Sequence, residues 1–202
     1  MYTLYFMPDA CSLATHVVLN ELNQPVELID KQQVSDFTAL NPVGTVPVLL
    51  DGTQKLLEGA AIMLHILNKH PNAMLPSSGA ARQQAITNIM FANATVHPAY
   101  SKLFFIAHHI SDENAKLDSF NAATETINNL WSVVESNLQH QDFLGGQKVS
   151  AADIMLTVYS RWGAHFPVDI QIGPRTQQMI DAVLAMPSFE AALAQEALKS
   201  AA

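Results

Sequence analysis

The sequence has one cysteine, few cations and no long apolar run. A single thiol, Cys11, excludes an internal disulfide framework and any paired-cysteine redox motif, and points to a reducing compartment, the cytoplasm. Lys and Arg total 10 against 18 Asp and Glu, a net charge of −8, the wrong sign for tracking a phosphate backbone, so no nucleic-acid partner is expected. No uncharged apolar segment approaches the ~18 residues needed to cross a bilayer. Met1–Asp9 has no basic leader and reaches Pro8-Asp9 too early for a secretory signal. The expectation is a soluble chain with no membrane partner. What is abundant is apolar: 49% of 202 residues, enough for one substantial core or two adjoining ones.

The first seventy residues alternate strand and helix signals. Tyr2–Phe6 and Val26–Ile29 read as strands, and Cys11–Leu22 as a helix with Leu13, Val17, Val18 and Leu22 at helical spacing. Val46–Leu50 and Thr53–Leu57 flank Asp51-Gly52, a pair suited to a tight hairpin, and Glu58–Asn68 reads as the next helix. That order is the order of a thioredoxin-like unit. Pro71–Gly79 breaks the pattern and reads as a lightly packed linker. Beyond it the periodicity is helical throughout: Gln83–His109, Asn114–Leu138, Ala151–Gly163, Thr176–Leu184 and Phe189–Leu198. Ser150-Ala151-Ala152-Asp153 has the form of a capping box, with Val149 and Ile154 placed for a hydrophobic staple.

Three places can carry chemistry. Cys11 stands where strand gives way to helix, where unpaired amides and the positive end of the dipole favour a thiolate; Asp9 works against this, and Ser12 can either donate to an adjacent sulfur or serve only as a helix-start residue. The plainer alternative is a buried cysteine acting as a small hydrophobe. Pro47 opens a strand; a cis bond before it would turn the backbone of Val46 outward to pair with a bound peptide, whereas a trans proline would merely start an edge strand. Glu58-Gly59-Ala60 starts a helix whose amides suit a carboxylate, with Gly59 allowing close approach and Glu58 able to accept from an ammonium; alternatively Glu58 only complements the dipole. His108, His109 and Asp112 form no complete ligand set, so no metal site is expected. Tyr5 is opposite in phase to Leu4 and Phe6, and the pattern does not say which face meets a ligand.

Pro8-Asp9-Ala10-Cys11-Ser12-Leu13 with His16, Asn41-Pro42-Val43-Gly44-Thr45-Val46-Pro47, Leu57-Glu58-Gly59-Ala60-Ala61-Ile62 and Val149-Ser150-Ala151-Ala152-Asp153 resemble successive landmarks of the beta-class bacterial glutathione S-transferases. Each stretch is common alone; their shared order and spacing over nearly the whole chain make the resemblance specific. It implies a thioredoxin-like glutathione-binding domain (β-α-β-α-β-β-α) over residues 1–74, a linker at 75–80, and an all-helical domain over 81–202 that supplies the second-substrate pocket and contacts of a homodimer. It implies glutathione as co-substrate, with no metal, held by Ala10, Cys11, Val46, Pro47, Glu58, Gly59 and His97, and with Cys11 beside the glutathione sulfur. The activity implied is conjugation of glutathione to a small hydrophobic electrophile. Two alternatives stand beside it: glutathione-dependent disulfide exchange through Cys11, and a non-catalytic member that only binds. The chain departs from the family where Pro98 replaces a basic residue and Met90 an asparagine, which leaves two polar contacts unfilled. Asp30–Asp36 is shorter than usual, so Lys31 stays outside the expected site.

Overall fold

Strand β1 (Tyr2–Phe6) sinks Tyr2, Leu4 and Phe6 into the core and leaves Thr3 and Tyr5 half-buried, as a period-two strand packed on one face must. It pairs in parallel with β2 (Val26–Asp30) and antiparallel with β3 (Val48–Asp51), and β3 pairs antiparallel with β4 (Gln54–Leu56), giving the order β2-β1-β3-β4. Helix α1 (Ser12–Glu21) joins β1 to β2, the single turn α2 (Phe37–Leu40) precedes β3, and α3 (Gly59–Lys69) follows β4. This is a thioredoxin-like unit. The computed structural model describes residues 1–201.

The hairpin differs by one residue from the sequence expectation. Asp51 pairs with Gln54, so the turn is Gly52-Thr53, with Gly52 at φ +60°. Asp51 stays in the ladder, where its carboxylate accepts from His65 Nε2 (2.8 Å) and from Lys69. Strand β3 begins at Val48 and not at Val46, because Pro47 has no amide to give a ladder. The Val46-Pro47 bond is cis.

The remainder is helical: α4 (Gly79–Phe91), α5 (His97–His109), α6 (Glu113–Asn137), α7 (Ala151–Ser160), α8 (Pro174–Leu184) and α9 (Pro187–Ser200). Among the described residues no helix is long and apolar enough to cross a membrane. The expected single helix over Gln83–His109 is interrupted by a π turn at Ala92–Val96. Pro98, second in α5, has no N–H to return to the preceding turn, and the amide of His97 reaches back five residues to the Ala92 carbonyl. The segment before α4 is also tighter than expected. Met74 and Leu75 are buried, the Asn72 side-chain amide donates to the Leu67 and His70 carbonyls (both 2.7 Å), and Arg82 donates to the Pro76 carbonyl (2.9 Å).

Helix α7 is the centre of the helical half, buried from Ala151 to Tyr159. Its start is the capping box read from the sequence: Ser150 Oγ accepts from the Asp153 amide (3.4 Å), and Asp153 accepts from the Ser150 amide (2.7 Å) and hydroxyl (2.6 Å). Asp153 also takes the amide of Leu144 (2.9 Å), tying the loop before the helix to its first turn. Burial pushes the Asp153 carboxyl up, and these three donors, with the Gly145 amide, oppose that shift only in part. Ser150→Ala should lower the unfolding free energy by about 1 kcal/mol. Asp153→Ala, which orphans buried donors, should lower it by about 2–4 kcal/mol, both read from denaturant midpoints.

Candidate active site

The turn between β1 and α1 sets the site. Asp9 has φ +58°, and the chain is held there from the helical half: Trp162 Nε1 donates to the Asp9 carbonyl (2.7 Å), while the carboxylate meets Arg161 (3.0 Å) and His165 (2.7 Å). The sequence expectation that Asp9 opposes a thiolate is thereby corrected, since its charge is matched by its own partners. Ser12 is a plain helix-start residue: its hydroxyl is fully buried and exchanges hydrogen bonds with the backbone of Met7 (both 3.4 Å).

Cys11 is the N-cap of α1. Its thiol is pushed up to about 11 by burial, with Glu58 adding to the rise; the amides of Cys11 and Ser12 pull it down by less. The helix start therefore does not win here, and desolvation outweighs the amides. The thiol keeps its proton and donates it to the Val46 carbonyl (3.3 Å). Val46 thus stands out of the ladder as expected, but its carbonyl already has a partner.

Glu58 caps α3 with φ +68° and ψ +115°, a backbone conformation that side chains with a Cβ rarely adopt. Gly59 follows. A Cβ at Gly59 would lie 3.3 Å from Asn93 Oδ1, so a larger residue would crowd Asn93, while the Pro47 ring at 4.0 Å would be in ordinary contact. Asn93 is a residue that the sequence reading missed. Met90, at the position expected to hold an asparagine, is 42% exposed, while Asn93, one turn before His97, lines the cleft. The π turn widens the helix between them, and Pro98 is the sequence signal that could have announced it.

These groups meet around two adjoining cavities. The smaller, about 200 Å³, is bounded by Cys11, Val46, Pro47, Glu58, Gly59 and Asn93, and its floor is Met63, Met155 and Tyr159. The larger, about 560 Å³, shares Cys11, Val46 and His97 with it and is walled by Ala10, Met7, Phe104 and Trp162. All seven expected site residues line one cavity or the other. Lys31 lies on the wall of the larger one, donating to the Gly44 carbonyl (2.5 Å) with its ammonium 5.3 Å from the Phe37 ring centroid. Tyr5 lines neither; it packs edge-on against Phe37 at 6.1 Å. His97 is held edge-on between Tyr159 and Trp162, each 5.2 Å away, and burial pushes its imidazole down, so it is neutral near pH 7. Among the described residues no group of three or more His, Cys, Asp or Glu could hold a metal ion.

Residues 4–74 match the profile of the glutathione S-transferase N-terminal domain, and residues 96–179 that of the C-terminal domain. A glutathione S-transferase of Xanthomonas campestris is 33% identical over 201 residues, covering 96% of this chain and 98% of that one. The chain belongs to the glutathione S-transferase family. The structure of a Xylella fastidiosa glutathione S-transferase superposes with a TM-score of 0.88 at 32% identity, over 98% of this chain and 99% of that one. A bacterial beta-class enzyme of Sphingomonas chungbukensis superposes at 0.84 with 30% identity, over 97% and 99%. In this transferase Glu58 is, among the described residues, one of three non-glycine positions with positive φ, beside Asp9 and Asn23. Glu58→Gly should raise the unfolding free energy by about 1 kcal/mol, whereas Glu58→Ala, which keeps a Cβ, should not; chemical denaturation of the two variants separates backbone relief from loss of charge.

Proposed function

We propose that the smaller cavity takes glutathione and the larger one a small hydrophobic electrophile. The chain is a glutathione transferase, an enzyme that uses glutathione as co-substrate, and a sphingomonad relative with 30% identity and a TM-score of 0.85 has been solved in complex with glutathione. The observation that carries the assignment of residues is the convergence of Cys11, the Val46 backbone, Glu58 and the α3 N-terminus on one cavity. Each part suits a portion of the tripeptide. The Val46 amide and carbonyl offer the pairing of a short added strand to the central cysteinyl residue, next to Pro47. The α3 amides at Gly59 and beyond suit the γ-glutamyl carboxylate, and the Glu58 carboxylate its ammonium. Ala10 and His97 flank the sulfur.

A peptide amide arriving at Val46 would compete with Cys11 for the carbonyl. The released thiol is then a hydrogen-bond donor beside the glutathione sulfur, which favours the glutathione thiolate over the thiol. A thiol that rests protonated suits this supporting role in conjugation better than the role of standing nucleophile. The apolar wall of Met7, Phe104 and Trp162 suits a hydrophobic second substrate placed next to that thiolate. A cytoplasmic setting, where a lone cysteine stays reduced, and a homodimer complete the proposal; exposed Met90 and Phe105 on α4 and α5 are apolar surface such an assembly would cover.

Retention on immobilised glutathione, followed by assays with an aryl halide and with a mixed disulfide of glutathione, tests the reading. The expected result is retention and conjugation; absence of both would sink it. Cys11→Ala should cut disulfide exchange by more than about 100-fold while conjugation falls by less than about tenfold. Equal losses would show that conjugation depends on the Cys11 thiol as much as disulfide exchange does.

A further inference from the structure

The larger cavity does not end at Phe104. Beyond that ring lies a third cavity of about 440 Å³, which shares Phe104 and His165 with the larger one. Its aromatic walls come from three places in the chain: Phe104 on α5, Phe120 on α6 and Phe166 just past α7. These rings pack on one another and join the wall already described. Phe166 meets Phe104 edge-on at 4.8 Å and Phe120 at 6.0 Å, and Phe104 meets Trp162 edge-on at 6.0 Å. One aromatic surface therefore runs from Trp162, which borders the same cavity as Cys11, out to α6.

The polar side chains at this outer cavity are His108, Lys116 and His165, and no carboxylate borders it. In a chain with 10 cations against 18 acids, its lining runs against the overall charge. His165 is already tied to Asp9 through Nε2 (2.7 Å). Lys116 is half-buried and takes part in none of the ion pairs among the described residues. The acids near it in sequence leave it so. Asp112 uses its carboxylate on the Ala115 amide (2.8 Å) to cap α6, and Asp118, two residues on, faces another side of the helix. Glu113, one turn back, forms no ion pair with it. A lysine at the edge of an aromatic cavity packs its stem on apolar surface and keeps its ammonium, with three donors, at the water's edge. We propose that the outer cavity receives the tail of the electrophile and that Lys116 selects tails ending in a carboxylate, so that this chain favours elongated aryl electrophiles with an acidic end. The reacting carbon sits in the larger cavity, the apolar body runs past Phe104, and the acid meets Lys116, with His108 beside it. With an aryl chloride the glutathione thiolate forms the C–S bond, chloride leaves with the C–Cl electron pair, and the tail keeps its charge throughout. Lys116 touches no reacting atom; it determines specificity. The proposal deepens the reading of the larger cavity as the electrophile site and rests on it for turnover, whereas binding of the tail can be measured apart from it.

The probes are three aryl chlorides activated by an ortho nitro group. Para to the chlorine each carries an amide-linked butyl tail that ends in a carboxylate, a neutral carboxamide or an ammonium, and each has an unreactive form with hydrogen in place of chlorine. Wild type should use the acid with a kcat/KM about fivefold above the carboxamide, the upper range of a partly exposed ion pair, with the ammonium lowest and the difference lying in KM. Lys116→Gln should raise KM for the acid alone, Lys116→Arg should keep the preference, and Lys116→Glu should turn it toward the ammonium. A merely structural role would move all three probes together. Binding of the unreactive acid without glutathione, followed by quenching of tryptophan fluorescence because Trp162 borders the larger cavity, reads the subsite apart from the chemistry. Its Kd should rise about fivefold in Lys116→Gln and rise with added salt in wild type. Equal kcat/KM for the three probes in wild type, or a preference that survives Lys116→Gln, would overturn the subsite, while conjugation of the carboxamide would still uphold the larger cavity as the electrophile site. Lys116-dependent binding of the unreactive acid with no turnover of any chloride would remove the conjugation reading and leave the subsite in place.

Discussion

Helix α1 has no face toward water: every residue from Ser12 to Leu19 is buried, and that constraint organises the rest of the molecule. One side packs on the sheet and α3, the other on α7 and α9. The two polar side chains this puts deepest are both answered, His16 across the seam between the halves and Ser12 within its own half. His16 meets Glu196 (3.2 Å) and Gln195 (2.7 Å) of α9, and Ser12 turns back to Met7. Glu196 is itself buried, and desolvation pushes its carboxyl up, with His16 as the main opposing influence. Removing one partner of such a buried pair typically costs about 3–5 kcal/mol, because the other is left without compensation. The two halves are thus fastened along the helix whose first turn carries Cys11. The Asp9 clamp to Arg161, Trp162 and His165 fixes the same helix at its start.

That fastening explains why the site lies at the seam. The α/β half supplies backbone groups: the Val46 carbonyl, the α3 amides and the α1 amides. The helical half supplies side chains: Asn93, His97, Tyr159 and Trp162. Backbone groups cannot be tuned by substitution, so binding on them tolerates sequence change, while side chains of the helical half can vary and set what reacts. The π turn belongs to this division. It lets one stretch between α4 and α5 present both Asn93 and His97 to the cleft, where an unbroken α-helix would have brought Met90 into the same phase.

The α/β half was largely legible because its signals are local. Tyr2–Phe6, the Gly52 turn and the helix opening at Gly59 are encoded by the residues that form them. The seven expected residues were reached through the family resemblance, and the fold brings them to two adjoining cavities. What stayed hidden depends on contacts between distant segments. Asp9 was read as a neighbour of Cys11 in sequence, yet its carboxylate belongs electrostatically to Arg161 and His165. The thiol was read from its place at a helix start, yet burial, which no local pattern reveals, decides its protonation. Asn93 escaped because counting back from His97 assumes a constant helical repeat, and Pro98 changes that repeat. Tyr159 escaped because a tyrosine in an apolar helix reads as core, and only the fold shows it lining the cleft.

The high thiol pKa and the exposed edge at Val46 are two sides of one arrangement. A resting thiolate at Cys11 would be open to oxidation and would leave the Val46 carbonyl unpaired in a partly closed cleft. Holding the proton between sulfur and carbonyl satisfies both groups at once. A bound peptide amide reaching the Val46 carbonyl would meet that proton donor at the same oxygen, which couples occupation of the backbone edge to the thiol. A ligand offering a strand edge would therefore change the sulfur, while a purely hydrophobic molecule in the larger cavity would leave the Cys11–Val46 bond in place. The backbone edge and the thiol therefore form one hydrogen-bonded unit, and what occupies the first bears on the second.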